Sequence, residues 1–419
     1  MLKNLISELF DSAAAQLSFQ RELYEELHAM PELSGQEAST AKRIRAELAR
    51  FDCEIIDFIG GHGLVGIFRN GPGKTVLMRA DFDGLPVLET TGVPYASKHT
   101  QLNEAGVETP TMHACGHDMH VTATMGLCAL LDSHREAWQG TFIALFQPSE
   151  ENGMGALKMI EDDLVHKIPT PDICFGQHIM PGRAGEVHSI SGPIMATAVS
   201  IKINIPGISA HGSMPHKSVD PTYVAAMVLV RLQGIVGREV SPHDFAVVTV
   251  GTLKAGNASN IIPGHAEIVL NCRFYDPAVR EKVIAAIERV VRAECLASNC
   301  PAEPSFDYFS EAPLTNNNEA VFDTVRPEFD AVFGPLSVTA QKSTGSEDFS
   351  RIPVAFDAPY MFWFIGCTPH QVWDTAIAND TLDTTVPVNH MSTFLPEYEP
   401  TVTSATKAAA TAVLTYLAK

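Results

Sequence analysis

The chain has 419 residues, 45% of them hydrophobic and 19% charged, with a formal net charge of −20. That length is too great for one simple core and predicts two domains. With only 29 Lys and Arg spread along it, the chain is not expected to bind nucleic acid or an anionic membrane surface, since both demand a basic stripe.

The first residues, MLKNLISELFDSAAAQL, read as an amphipathic helix carrying acids rather than a secretory signal. No run approaches the roughly 18 apolar residues that a bilayer span needs, so no membrane partner is expected. The eight cysteines fall mostly inside apolar periodic segments, which predicts a reducing, cytoplasmic home. Next, LSFQRELYEELHAMPELSGQEASTAKRIRAELARF predicts two amphipathic helices divided at Pro31. Ser34, with Glu37 three residues on, would open the second helix as a capping box.

Strand-like and helical runs then alternate: TVLMRAD (75–81), a helix over 118–131, TFIALFQ (141–147), a helix over 153–161 and DICFGQH (172–178). The alternation predicts an α/β fold, a mixed sheet flanked by helices. From Met195 the rhythm changes to ATAVSIKINIPG, a helix PTYVAAMVLVRLQGIVG, strands FAVVTVGTL and AEIVLNCRFYD, and a helix over 277–296. That order predicts an inserted α+β, ferredoxin-like unit of four strands and two helices. The expected organisation is a first domain over 1–194, an inserted domain over 195–302, and a return to the first domain over 303–419.

Chemistry concentrates in four places. MHACGHDMHVTATMG (112–126) sets Cys115 two residues from His117, a spacing that lets both side chains reach one point and indicates a metal site. FQPSEENGMGA delivers Glu150 and Glu151 side by side at a strand end. Adjacent carboxylates repel unless a cation holds them, although a solvated turn before a helix accommodates the same pair. His178 ends DICFGQH where α/β sites collect their ligands, and an ordinary hydrogen-bonded histidine is the plainer reading. In MRADFDGLP, Asp81 is placed to buttress a metal-bound imidazole through its far nitrogen, or simply to end the strand.

MRADFDGLPVLE, MHACGHDMHVT, FQPSEENGMGA, GQHIMPGRAGEV, SAHGSMPH, NASNIIPG and GSEDF follow one another in the order and approximate spacing of a known group. The sequence resembles the aminoacylase, hippurate hydrolase and indoleacetyl-amino-acid hydrolase group of metal-dependent amidohydrolases. The resemblance runs over nearly the whole chain, from HAMPELSGQEAST onward. It implies a di-metal exopeptidase-like catalytic domain with two divalent ions (zinc, manganese, nickel or cobalt) and an inserted lid domain through which such chains often pair as homo-oligomers. The implied ligands are Cys115, His117, Glu151, His178 and a C-terminal histidine, with Cys115 shared between the ions. His390 is preferred to His370 for the last, because Phe394 keeps the His-to-Phe spacing of the family's L-H-[NS]-P-x-F segment.

Glu150 matches the family's general base, His211 the histidine that meets the developing oxyanion, and Asn260 and Arg273 the residues that hold a substrate carboxylate. The implied substrate is a small N-acyl amino acid. A dipeptidase or carboxypeptidase would share every motif, and a silent metal-dependent binding protein is the alternative outside enzymes. This chain departs from the family in Met195-Ala196-Thr197-Ala198-Val199, in Ser209-Ala210 before His211, in Asn271-Cys272 before Arg273, and in Val388-Asn389-His390-Met391, which has no proline.

Overall fold

Runs rich in branched apolar residues build an eight-stranded mixed sheet in the larger of two units of this computed structural model, which describes residues 2–419. The strand order is Glu54–Ile59, Gly63–Asn70, Gly140–Gln147, Thr75–Asp81, Ile173–Arg183, Tyr360–Thr368, Val187–Ser189 and Ser337–Thr339. The four central strands are mutually parallel, so their C-terminal ends open on one edge. Parallel strands are buried on both faces, and Tyr360–Thr368 is buried at every position. Phe362 and Trp363 therefore belong to the core, while Trp373 is half-buried in the helix His370–Ala378.

Two helices pack against this sheet and each other, His117–Ser133 and Tyr398–Leu417. Both are buried along nearly their whole length. The second does this with small residues such as Ala405, Ala408, Ala409 and Ala412, which allow close approach. Gly126 shows how tight the packing is: a Cβ there would lie 2.3 Å from Gln20 Nε2. That amide donates to Thr122 O at 3.0 Å and to Thr406 Oγ1 at 3.0 Å, joining Gln20–Ala29 to both buried helices.

The smaller unit comprises Met195–Leu314 with Ser343–Glu347. Its antiparallel sheet runs Ala246–Ala255, His265–Phe274, Thr197–Pro206, Ser305–Ala312, and the helices Pro221–Arg238 and Pro277–Ala297 fall between the first and second and the third and fourth strands in chain order. This is the ferredoxin-like arrangement. Alternation explains it, since Ile201, Ile203, Ile205, Ile268 and Leu270 join Val228 and Ile287 in one core.

Two expectations need correction. The inserted domain does not end at 302, because Ser305–Ala312 pairs with Thr197–Pro206 and carries the unit to Leu314. Its largely exposed pattern carries little of the apolar signal of a buried strand. Nor does Ser34 open a helix: the helix is Ala38–Leu48, and Glu32 accepts its first N–H groups, from Ser39 and Thr40. Ser34 and Glu37 are used elsewhere, as described below.

Among the described residues no helix is long and apolar enough to cross a membrane. All eight cysteines are free thiols.

His28 is buried between Asp118 at 2.6 Å and Glu89 at 3.1 Å. Burial alone would push this imidazole down, but the hydrogen bonds to the two carboxylates outweigh it and raise its pKa to about 9. A raised folded-state pKa gives stability that is complete below the unfolded value near 6.5 and lost as pH rises through about 9. The unfolding free energy from denaturant curves should therefore fall over that window, by an amount on the order of 3 kcal/mol at most, and the fall should flatten in His28→Gln.

Candidate functional site

The C-terminal ends of the central parallel strands deliver the first donors. Thr75–Asp81 runs into Asp81 and Asp83, Gly140–Gln147 into Glu150 and Glu151, and Ile173–Arg183 carries His178. Cys115 and His117 come from the turn that starts the buried helix, where Gly116 has φ +82°. A side chain would be strained in that conformation. A Cβ there would also meet Ile179 at 3.1 Å.

Cys115 stands at the meeting point of two donor groups. Its Sγ lies 3.5 Å from His178 Nε2, and Cys115, His117 and His178 converge as one buried trio. Cys115, Glu151 and His390 converge as another, with His390 Nε2 3.4 Å from Glu151 Oε2. Glu150 Oε2 lies 4.0 Å and Glu151 Oε1 3.9 Å from His117 Nε2. His370 is elsewhere engaged, its Nε2 meeting Ala184 O at 2.7 Å. Of the two C-terminal histidines, His390 is the one that reaches the cluster.

Surrounding groups fix how each donor points. His117 Nδ1 donates to the Asp83 carbonyl at 2.9 Å and lies 3.2 Å from Asp83 Oδ1. This directs Nε2 inward. The sequence reading gives that buttressing task to Asp81, but Asp81 instead receives Nδ1 of His120 and the Arg79 guanidinium, the latter at 2.7 Å, and turns Oδ2 toward His117 Nε2 at 3.5 Å. Arg79 is itself held by Gln147 and by Asp348 of GSEDF.

Asp83 Oδ2 also accepts from Ser34 Oγ at 2.7 Å and from the Glu151 N–H at 3.0 Å. Glu37 accepts the Ser149 N–H at 2.8 Å. These uses explain why neither Ser34 nor Glu37 caps a helix. Ser149 (φ +54°) and His390 (φ +72°) are non-glycine residues in the left-handed region, a cost that folds accept at functional sites.

The electrostatics are those of a cation site. Burial pushes the Cys115 thiol well above its usual range, and Glu151, Glu150 and Asp81 push it further. Burial also lifts Glu151 to about 7, against the pull of His117 and with the push of Asp83 and Asp81. His117 is held near 10 because Asp81, Asp83 and Glu151 together overcome its desolvation. Burial, and then the neighbouring His120, keep His178 neutral, the form that binds metal.

His117 Nε2 and Glu151 Oε1 are buried without a hydrogen-bond partner among the described residues, and such atoms are rare unless an ion or water takes them. Thiolate, imidazole and carboxylate donors suit divalent transition ions. The residues therefore fit a metal centre in which one sulfur serves two triads.

Three positions of interest lie in the smaller unit. Ala210–His211 pairs with Ile261–Ile262, and Gly212 N–H bonds the Asn260 carbonyl at 2.7 Å, so His211 and Asn260 are neighbours. Nδ1 of His211 accepts the Ser213 N–H at 3.2 Å, leaving Nε2 as the donor. Arg273 is half-buried on His265–Phe274, with Nε on Asn271 Oδ1 at 3.1 Å and Nη1 on Thr344 O at 2.8 Å.

Sequence reasoning missed His120, Asp83, Glu37 and Asp348 as supports. A signal existed for His120, three residues beyond His117 on the same helix face. Asp83→Asn keeps the shape but turns an amide toward donors. It should weaken divalent-metal binding by about 10–100-fold in a protein with unchanged circular dichroism, measured by chelator competition.

The family model for peptidase family M20/M25/M40 matches residues 77–388. The chain is 35% identical over 372 residues to thermostable carboxypeptidase 2 of Saccharolobus solfataricus, covering 87% of this chain and 88% of that one. It is 36% identical over 350 residues to hippurate hydrolase of Campylobacter jejuni, covering 83% and 87%. Among solved structures, a dinuclear metal binding peptidase of Bacillus subtilis superposes with a TM-score of 0.76 at 27% identity, covering 96% of this chain and 98% of the other.

Proposed function

The chain belongs to peptidase family M20/M25/M40 and is a metal-dependent hydrolase, and from that premise we propose that it cleaves the amide bond of N-acyl amino acids, releasing a carboxylic acid and a free amino acid. The observation that supports this most directly is Cys115, one thiol common to two donor triads, with the Glu150 carboxylate beside them. The hippurate hydrolase relative points to the same substrate class. The carboxypeptidase relative favours a second reading, cleavage of short peptides with a free C-terminus.

We assign Cys115, His117, Glu151, His178 and His390 as ligands of two divalent ions. Ions held there supply Lewis acidity for the scissile carbonyl and acidify the attacking water. Glu150 takes the proton from that water as its oxygen bonds the carbonyl carbon, then returns it to the leaving nitrogen as the C–N bond breaks. His211, with Nε2 as donor, is assigned to the developing oxyanion. Asn260 and the fork of Arg273 are assigned to the substrate carboxylate. Mixed sulfur, nitrogen and oxygen donors accept zinc, manganese, nickel or cobalt, and availability decides among them. Eight free thiols fit the cytoplasm, and pairing of two chains through the smaller unit is part of the same reading.

Hydrolysis of N-acetyl, N-benzoyl, indoleacetyl and long-chain N-acyl amino acids, followed by mass spectrometry beside dipeptides and tripeptides, tests the reading. Acyl amino acids should turn over fastest and their C-terminal amides poorly; peptides alone as substrates would transfer the assignment to the second reading.

The adjacent glutamates should separate under substitution. Glu150→Gln cannot accept a proton and should lose about 100-fold or more in turnover with metal content intact. Glu151→Gln removes an anionic ligand and should lower metal per chain by elemental analysis.

A further inference from the structure

Asn389 occupies the position that the family's L-H segment fills with leucine, an apolar residue with no donor. Its side-chain nitrogen lies 3.0 Å from Ile179 O, 3.4 Å from Cys115 O and 3.7 Å from Cys115 Sγ. All three are acceptors, so the NH₂ end of the amide must face them. One proton goes to Ile179 O, and the other is shared by the Cys115 carbonyl and sulfur. The next residue adds a second link, His390 N–H to Ala114 O at 2.7 Å.

Residues 389–390 are thereby tied both to the segment bearing Cys115 and to the residue following His178. The sulfur also converges with Glu151, a carboxylate. A thiolate there has an anionic neighbour and gains from a neutral N–H directed at it.

We propose that Asn389 is a positioning residue of the metal centre, donating a hydrogen bond to the Cys115 thiolate and holding the ligands Cys115, His178 and His390 in mutual register. This rests on the metal-centre reading above. A hydrogen bond to a thiolate lowers the energy of the sulfur lone pair and so raises the energy of sulfur-to-metal charge transfer. Partners of this outer kind tune a centre as well as orient it.

The test is the near-ultraviolet sulfur-to-cobalt charge-transfer band of the full chain loaded with cobalt(II), with chelator competition run in parallel. Asn389→Leu should move the band to longer wavelength and weaken cobalt binding by about 10-fold or more. Asn389→Gln, which keeps an amide donor, should fall between Leu and the unsubstituted protein. An unmoved band in Asn389→Leu at equal cobalt occupancy would overturn the proposal. Should the leucine variant fail to fold by circular dichroism, the smaller Asn389→Ala carries the same expected shift and the same refutation. Absence of any sulfur-to-cobalt band in the unsubstituted protein would instead overturn the metal-centre reading.

Discussion

Crowding of acidic groups in a poorly solvated site is the constraint on which the centre depends. Asp81, Asp83, Glu150, Glu151 and the Cys115 sulfur are drawn to one edge of the sheet, and Arg79 is committed to Asp81 and Asp348. Burial first, and then the neighbouring carboxylates, raise Glu151 and Cys115, while at His117 the pull of Asp81, Asp83 and Glu151 outweighs burial and favours a positive charge. A proton can satisfy one such position, whereas two divalent ions satisfy the group. Metal binding and local folding are therefore linked, because the ligands must lose protons together.

The fold makes this crowding tolerable by hydrogen bonds that hold the groups in place. Asp83 alone receives the His117 imidazole, on its backbone carbonyl and its carboxylate, together with the Ser34 hydroxyl and the Glu151 backbone, so a single residue sets two donors and one loop. Glu37 steadies the strained turn at Ser149, just before the two glutamates. The buried helix His117–Ser133 is anchored by Gln20 and by the His28–Asp118 pair. The same scaffold thus serves both stability and the placement of donors.

Part of the centre was legible in the sequence: Cys115 and His117 share a turn, whereas Glu150, Glu151 and His178 mark strand ends that also admit plainer readings and were singled out by the resemblance. The central strands were legible too, since continuous apolar runs are what buried parallel strands require. What escaped around the centre shares one cause, long-range competition for a polar side chain. Ser34 and Glu37 form a sound capping pattern in isolation, yet Asp83 and Ser149, distant in the chain, recruit them. Asp81 and Asp83 are equivalent on paper, and only the approach of His120 and His117 divides their tasks. The strand Ser305–Ala312 escaped because an edge strand with an exposed pattern offers little apolar signal.

Whether one sulfur serves two ions is tested most directly by X-ray absorption at the metal edge of the loaded protein. Two ions per chain should each show one sulfur scatterer at about 2.3 Å if zinc is bound, with nitrogen and oxygen completing the shell, and Cys115→Ser should remove that scatterer from both. A shell of nitrogen and oxygen alone, or sulfur at only one of two ions, would contradict a shared thiolate.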